Sequence, residues 1–281
     1  MTRVFSRDGT PIAFERSGNG PALILVDGAL CSMTFGPSAK LAPLLASEFT
    51  VYRYDRRGRG QSGDRGPYAP AREVDDLAAL IEAAGGRASL LGLSSGGALA
   101  LHAAAEGVGV TTVVAYEPPY VDDDGTRGAA AHAAHLERLI AKNDRGAAVT
   151  YFMRDMVGAP AFVPIMMRLL PWVWRKLKAV AHTLPNDAAL MTEFRIPRAH
   201  FASIHAPVLL LNGTKTDPRL KAAARVIATA VPGAQHAELA GQTHNVNARI
   251  LAAATTEFLK QTSGTASHHV SAPVGSRSAG A

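Results

Sequence analysis

The chain has 281 residues, of which 47% are hydrophobic and 19% charged, as in an ordinary globular domain with a large core. Its 29 Lys and Arg residues exceed its 23 Asp and Glu residues by six, but they form no long basic run, so we expect no nucleic-acid partner. The single cysteine, Cys31, excludes an internal disulfide and a cysteine-based structural zinc site, and we expect no metal.

The hydropathy pattern also argues against a membrane protein. No apolar run approaches the length of a membrane span, and the segment MTRVFSRDGT at residues 1–10 lacks the apolar core of a signal peptide. We therefore expect a cytoplasmic protein that acts on a small molecule and has no membrane partner. Nothing in the pattern predicts the oligomeric state.

Two short basic clusters occur, at Arg56-Arg57-Gly58-Arg59 and at Arg175-Lys176-Leu177-Lys178. Each is too short for a phosphate-binding surface to be the preferred interpretation. We expect the first cluster to pair with nearby acids and the second to form a solvated helix face.

The first part of the chain alternates strands with helices. Asp8-Gly9 is a type I′ turn signal between two short strands and predicts an edge hairpin. The elements that follow are a strand at 22–26, a helix at 40–46, a strand at 50–54, a helix at 72–84, a strand at 88–93, a helix at 98–105 and a strand at 111–116. This alternation predicts an α/β fold with a doubly wound, mostly parallel sheet.

The alternation stops at about residue 121. Residues 121–204 contain no convincing strand and have prolines at 160, 164, 171, 185 and 197, which predicts an insertion of short helices. Its large apolar residues should form its own core, seat it on the main domain and in part line a pocket; they are Met153, Met156, Phe162, Met166, Met167, Leu169, Leu170, Trp172 and Trp174.

The second half of the main domain returns after the insertion. Strands at 207–212 and 234–239 alternate with helices at 220–230 and 246–260, which brings the sheet to eight strands. The main domain thus comprises residues 1–120 and 205–262. Residues 263–281 are small, polar and aperiodic, so we expect a disordered tail.

The most informative stretch is Gly92-Leu93-Ser94-Ser95-Gly96, between a predicted strand and a predicted helix. Gly-x-Ser-x-Gly in this setting is typical of a nucleophile elbow, in which glycines avoid collisions with the neighbouring strand and helix. Ser94 would stand at a helix N-terminus, where free N–H groups favour an alkoxide or oxyanion. The alternative is an ordinary strand-to-helix turn.

Several motifs in order resemble the α/β-hydrolase superfamily. They are Asp27-Gly28-Ala29, the loop YDRRGRGQSG at 54–63, the elbow at 92–96, an acid after the strand at 207–212, and a late histidine in Gly241-Gln242-Thr243-His244. The resemblance is closest to the esterase and cofactor-free haloperoxidase-like branch. It implies a helical cap formed by the insertion, and no cofactor.

The resemblance implies a serine nucleophile, a histidine base, an orienting carboxylate and two oxyanion donors. Ser94 is the candidate nucleophile and His244, which comes last in the chain order, is the candidate base. The donors would be the N–H groups of Ala29 and Ser95. Asp27 stands where a histidine usually precedes the glycine.

The sequence leaves two candidates for the orienting acid. Asp217 follows the strand at 207–212, and Glu117 follows the strand at 111–116, a position that some hydrolase families use. We favour Asp217, although it could instead cap the helix that begins at Pro218. Glu117 stays open as the alternative acid.

These residues predict a serine hydrolase that cleaves a small or medium hydrophobic ester, amide or lactone through an acyl-enzyme. The same site could instead serve C–C hydrolysis, lyase or perhydrolase chemistry, because one fold supports many reactions. A non-catalytic small-molecule receptor is a third possibility.

Overall fold

In the computed structural model, which describes residues 1–121, 129–191 and 194–268, eight strands form one central sheet. The strands are β1 (Thr2–Phe5), β2 (Pro11–Ser17), β3 (Ala22–Val26), β4 (Thr50–Tyr54), β5 (Ala88–Leu93), β6 (Val110–Tyr116), β7 (Val208–Gly213) and β8 (Gln235–Leu239). Their order in the sheet is β1-β2-β4-β3-β5-β6-β7-β8. β2 is antiparallel to both β1 and β4, and the other neighbours are parallel, so the predicted mostly parallel sheet is confirmed.

Helices fill the connections between the strands. They are α1 (Ser38–Leu45), α2 (Pro70–Ala83), α3 (Ser95–Ala105), α4 (Ala129–Ala141), α5 (Arg145–Tyr151), α6 (Phe162–Arg168), α7 (Pro171–Val180), α8 (Leu184–Leu190), α9 (Arg198–Phe201), α10 (Pro218–Ala230) and α11 (Ala248–His268). Within the described ranges, no helix has the length and hydropathy to cross a bilayer.

The sheet carries a hydrophobic layer on each face, because successive side chains of a strand point to opposite sides. In β3, Ile24 and Val26 join one layer, which also contains residues of α2, α3 and α10. Leu23 and Leu25 join the other layer, with residues of α1 and α11. The sheet is therefore doubly wound, as predicted.

Between β6 and β7 the described residues form α4 to α9 and no strand. Parts of α4, α5, α7 and α8 pack into a separate hydrophobic cluster, which Leu30 of the main domain joins. α8 also contacts α2 and α3. The insertion thus has its own core and rests on the main domain; its boundaries as a domain stay a prediction.

The last helix is longer than the sequence predicts. We expected it to end at Lys260 and disorder to begin at residue 263, but α11 continues to His268. Thr262 and Ser263 donate their hydroxyl hydrogens to carbonyls one turn earlier, at Phe258 and Leu259, so these polar side chains are satisfied inside the helix. The helix therefore extends past the predicted start of the tail, and the predicted disorder of residues 269–281 lies outside the described residues.

Candidate active site

Ser94 occupies a strained turn between β5 and α3. Its φ of 53° and ψ of −126° lie in a region that non-glycine residues rarely adopt. The Ser94 N–H donates to the Tyr116 carbonyl at 2.9 Å, and the Ser94 carbonyl accepts from the Gly97 N–H at 2.8 Å. A Cβ at Gly92 would collide with the Gly96 carbonyl, and one at Gly96 would collide with the Val26 carbonyl. The backbone therefore has the geometry of a nucleophile elbow.

His244 follows β8 and is held by a buried carboxylate. Its Nδ1 lies 2.7 Å from Glu117 Oε2, while 41% of its side chain is exposed. The Glu117 side chain is fully buried and accepts two further hydrogen bonds, from the Gly213 N–H at 2.8 Å and from the Thr216 hydroxyl at 3.0 Å. Three donors therefore fix the carboxylate, and the carboxylate in turn fixes the orientation of the imidazole ring.

Glu117 reaches this position because the chain turns sharply at the end of β6. Its φ is 49°, and its N–H donates to the Leu211 carbonyl of the neighbouring strand. The turn directs the carboxylate across the end of β7, toward the loop that carries His244.

Asp217 lies at the same end of the sheet but has a different role. Its side chain accepts from the Arg219 N–H at 2.9 Å as the N-cap of α10, and it also pairs with the Arg219 guanidinium. Pro218 begins α10, which makes the preceding residue a cap. Our preference for Asp217 as the carboxylate next to His244 is therefore wrong, and Glu117 has that position.

Ser94 and His244 open onto one cavity of about 530 Å³. Most of the wall is apolar and comes from the ends of β6 and α10 and from the insertion: Pro119, Val121, Phe152, Met156, Val157, Pro160, Met191, Phe194 and Leu220. Of the apolar residues assigned to the insertion from sequence, Met156 is among those that line the cavity.

The two predicted oxyanion donors also line this cavity. Ala29 follows β3, and Ser95 is the first residue of α3. Among the residues that the structure describes, neither the Ala29 N–H nor the Ser95 N–H has an acceptor. A Cβ at Gly28 would lie 3.7 Å from Ser94 Oγ, so the loop with Ala29 runs directly beside the serine. Both N–H groups are thus available next to Ser94.

A buried charge network lies beneath the two donors, and the sequence did not reveal that Asp187 of the insertion belongs to it. Asp187 of α8 pairs with Arg56 at 2.8 Å and with Arg59 at 2.7 Å. The Ser95 hydroxyl donates to Asp187 at 2.8 Å, and Arg59 donates to the Gly28 carbonyl at 2.6 Å. The insertion is thereby connected to both segments that carry the candidate donors.

The charges in this network are compensated. Burial raises the pKa of Asp187, but the guanidiniums of Arg59 and Arg56 outweigh it and hold that pKa below its usual value. Arg56 also makes two hydrogen bonds to Glu73, and Arg57 pairs with Asp76. The expectation that the first basic cluster pairs with acids is confirmed. No local motif marks Asp187, because its arginine partners lie more than 120 residues away in the chain.

Asp27, which stands where a histidine is usual, has a structural contact of its own. Its buried carboxylate accepts from the Ser38 hydroxyl at 2.5 Å and from the Ser38 N–H at 3.1 Å, at the start of α1. Burial outweighs these hydrogen bonds and raises its pKa to about 6. The side chain therefore fixes the loop before Ala29 without any histidine.

The raised pKa of Asp27 predicts a pH dependence of stability. Between the ordinary value of 3.8 and about 6, the folded protein binds this proton and the unfolded chain does not. The contribution of Asp27 to the free energy of unfolding therefore falls as pH rises through this window. Asparagine does not titrate, so the stability of Asp27→Asn relative to the wild type should increase by about 2 kcal/mol from about pH 4 to about pH 7. Urea unfolding at both pH values measures this, and an unchanged difference would contradict it.

The comparisons with known proteins agree with this fold. An alpha/beta hydrolase from Sphaerobacter thermophilus is 45% identical, with a TM-score of 0.84 over 92% of this chain and 100% of that one. The bromoperoxidase from Bacillus anthracis is 21% identical, with a TM-score of 0.72 over 92% of this chain and 100% of that one, and at this identity the likeness shows the fold alone.

Among curated proteins, "Probable oxidoreductase EphD" of Mycobacterium tuberculosis is 40% identical over 83 residues, which span 28% of this chain and 14% of that protein's length. The model of the "Alpha/beta hydrolase family" matches residues 25–254, most of the chain. Together with the eight-stranded sheet and the elbow, this match means that the chain belongs to the alpha/beta hydrolase family.

Proposed function

We propose that the protein is a serine hydrolase that cleaves a small or medium hydrophobic ester, amide or lactone through an acyl-enzyme. The observation that carries the proposal is the arrangement around one cavity. Ser94 on its strained elbow and His244 on its buried carboxylate both face that cavity. A nucleophile, a base and an orienting acid are the groups that acyl transfer needs.

The roles follow from which atoms are already engaged. Glu117 occupies His244 Nδ1, which leaves Nε2 to take the proton from the Ser94 hydroxyl. The serine oxygen then attacks the carbonyl carbon of the substrate. The positive charge that forms on the imidazole is stabilised by Glu117, and the negative charge on the substrate oxygen accepts hydrogen bonds from the Ala29 and Ser95 N–H groups.

The remaining steps use the same groups. His244 donates its proton to the leaving group as the bond from carbonyl carbon to leaving group breaks, and the acyl group stays on Ser94. Water then enters, His244 accepts its proton, and attack on the acyl carbon releases the acid and restores the serine hydroxyl. Apart from the substrate and this water, every group used in these steps belongs to the chain.

The cavity supports the proposed substrate class. Its volume of about 530 Å³ and its apolar wall suit a hydrophobic acyl or ring group of modest size. The acid Asp217 in the wall is neutralised by its pairing with Arg219, and Asp187 by its two arginines. Apart from Lys215, the charged Asp and Arg side chains of the described wall are therefore compensated, which favours a hydrophobic substrate.

A fluorophosphonate probe tests the proposal, because it phosphonylates activated serines. Peptide mapping with fragmentation should find the label on Ser94 and distinguish it from the adjacent Ser95. A series of p-nitrophenyl esters should then show turnover that falls as the acyl chain outgrows the cavity. A folded protein that takes no label would contradict the proposal and favour the receptor. Labelling of Ser94 without turnover of any ester, amide or lactone would favour the C–C, lyase or perhydrolase alternatives.

A further inference from the structure

α6 and the turn into α7 expose a continuous apolar surface. On α6 the exposed apolar residues follow the spacing i, i+3, i+4 and i+7, so they share one face of the helix. With their exposed fractions, the residues of this surface are Phe162 (63%), Ile165 (58%), Met166 (54%), Leu169 (68%), Leu170 (47%) and Trp172 (56%). We call these six side chains the apolar stripe. For Phe162, Met166, Leu169, Leu170 and Trp172, the expectation that they belong to the core of the insertion is therefore wrong.

The inner faces of both helices are already occupied. Pro164 of α6 is buried, and α7 buries Val173, Leu177 and Val180 in the cluster of the insertion. The apolar stripe is thus an additional apolar face that points outward. Folding of the monomer does not explain it, and contiguous exposed apolar surface of this kind marks contact with a partner or a membrane.

The charged residues of the segment that carries the apolar stripe are all basic. Residues 161–180 contain Arg168, Arg175, Lys176 and Lys178 and no Asp or Glu. Arg168 lies over the Trp174 ring, 5.0 Å from its centroid. Both residues line an open cleft, together with Arg175 and Lys178.

One acid, Asp144, also lines this cleft, and its side chain accepts from the Ala147 N–H as the cap of α5. The chain as a whole carries a net charge of +6. The surface next to the apolar stripe is therefore cationic.

We propose that the apolar stripe and its basic flank dock the protein on an anionic lipid bilayer. The apolar side chains enter the boundary between headgroups and acyl chains, and the Arg and Lys side chains meet the lipid phosphates. A second copy of the chain fits less well, because pairing two such surfaces would bring like charges together. The earlier expectation of no membrane partner rested on the lack of a spanning segment, which docking does not need.

Docking would place the candidate active site at the lipid surface. Val157, Gly158 and Pro160 line the cavity and directly precede α6 in the chain. A hydrophobic substrate dissolved in the bilayer would then enter beside the docked helix. This last step rests on the proposed hydrolase function, whereas the docking itself does not.

Co-sedimentation with vesicles tests the docking. We expect the protein to sediment with vesicles of phosphatidylcholine and phosphatidylglycerol at low salt, and to bind much more weakly to phosphatidylcholine alone or at high salt. Ser94→Ala should bind like the wild type, which separates docking from catalysis. Loss of vesicle binding in that variant alone would contradict the proposal, because Ser94 is not part of the docking surface.

Two changes in the proposed surface have matched controls. Ile165→Ser combined with Leu169→Ser should lower the partition coefficient about tenfold or more, since two inserted side chains are lost. Arg175→Glu should lower it roughly 25-fold, because it changes two units of charge and each is worth about fivefold near an anionic surface. Phe5→Ser on the 69%-exposed edge strand and Arg249→Glu on exposed α11 are the controls and should bind unchanged.

Several outcomes would overturn the proposal. They are no sedimentation with anionic vesicles, equal binding to neutral vesicles, or equal losses in the control variants. Sedimentation velocity without lipid tests whether a second copy of the chain, rather than a bilayer, covers the apolar stripe. A lipid-free dimer that Ile165→Ser with Leu169→Ser dissociates would assign the apolar stripe to self-association instead. Circular dichroism of each variant shows whether it is folded. Trp172→Ser replaces any variant that is not folded.

Discussion

Replacing Ser94 by alanine should lower kcat for an activated ester by a factor on the order of 10⁴ or more, because it removes the proposed nucleophile. The change removes a hydroxyl that faces the cavity and leaves the backbone of the elbow in place. We therefore expect an unchanged far-UV spectrum and a thermal midpoint close to that of the wild type.

A serine on the adjoining strand supplies the control. Ser89 lies on β5, and its hydroxyl shares a hydrogen bond with the Thr111 hydroxyl, away from the cavity. Ser89→Ala should keep kcat within a few-fold of the wild type. Ester turnover by Ser94→Ala within tenfold of the wild type would rule out the assigned nucleophile.

Glu117→Gln should lower kcat by about 10³-fold to 10⁴-fold while Asp217→Asn changes it only a few-fold. An amide cannot stabilise the imidazolium of His244 as a carboxylate does. It also has one acceptor oxygen for three donors, namely the Gly213 N–H, the Thr216 hydroxyl and His244. One donor is thereby left unpaired, and we expect the free energy of unfolding to fall by about 1–3 kcal/mol as well.

Asp217→Asn is the matched control, since both acids follow neighbouring strands at one end of the sheet. It keeps a capping oxygen for the Arg219 N–H and loses a partly exposed ion pair, for which we expect a cost of at most about 1 kcal/mol. Steady-state kinetics with the same ester separate kcat from KM in both variants. If Asp217→Asn loses the rate and Glu117→Gln retains it, the positions in the structure do not reflect the working enzyme.

The elbow could be predicted from sequence because its cause is local. The two glycines, the apolar strand before Ser94 and the helix after it all lie between residues 88 and 105, and backbone collisions make the pattern specific. The alternation of strands and helices predicted the sheet for the same reason.

The acid could not be predicted, because two carboxylates follow neighbouring strands. What separates them is the positive φ at Glu117 and the capping of α10 by Asp217, and neither is visible as a spacing. The sequence also did not show which way the apolar face of α6 points. Its apolar periodicity reveals one face but not whether that face points inward. Asp187 carried no signal at all, since its contacts with Arg56 and Arg59 exist only in the folded chain.

The pairing of Asp187 with two arginines also limits how this protein can be recombined with its relatives. A chimera that exchanges the insertion for another helical segment would leave Arg56 and Arg59 buried with one carboxylate fewer, and breaking a buried pair in this way costs about 3–5 kcal/mol. The missing carboxylate would disturb the contacts of Arg59 with Gly28 and of Ser95 with Asp187, next to the candidate oxyanion donors. An exchange of the insertion that changes substrate specificity would therefore also disturb the candidate active site. Donor segments for such grafts should be chosen first by whether they supply a carboxylate at this point.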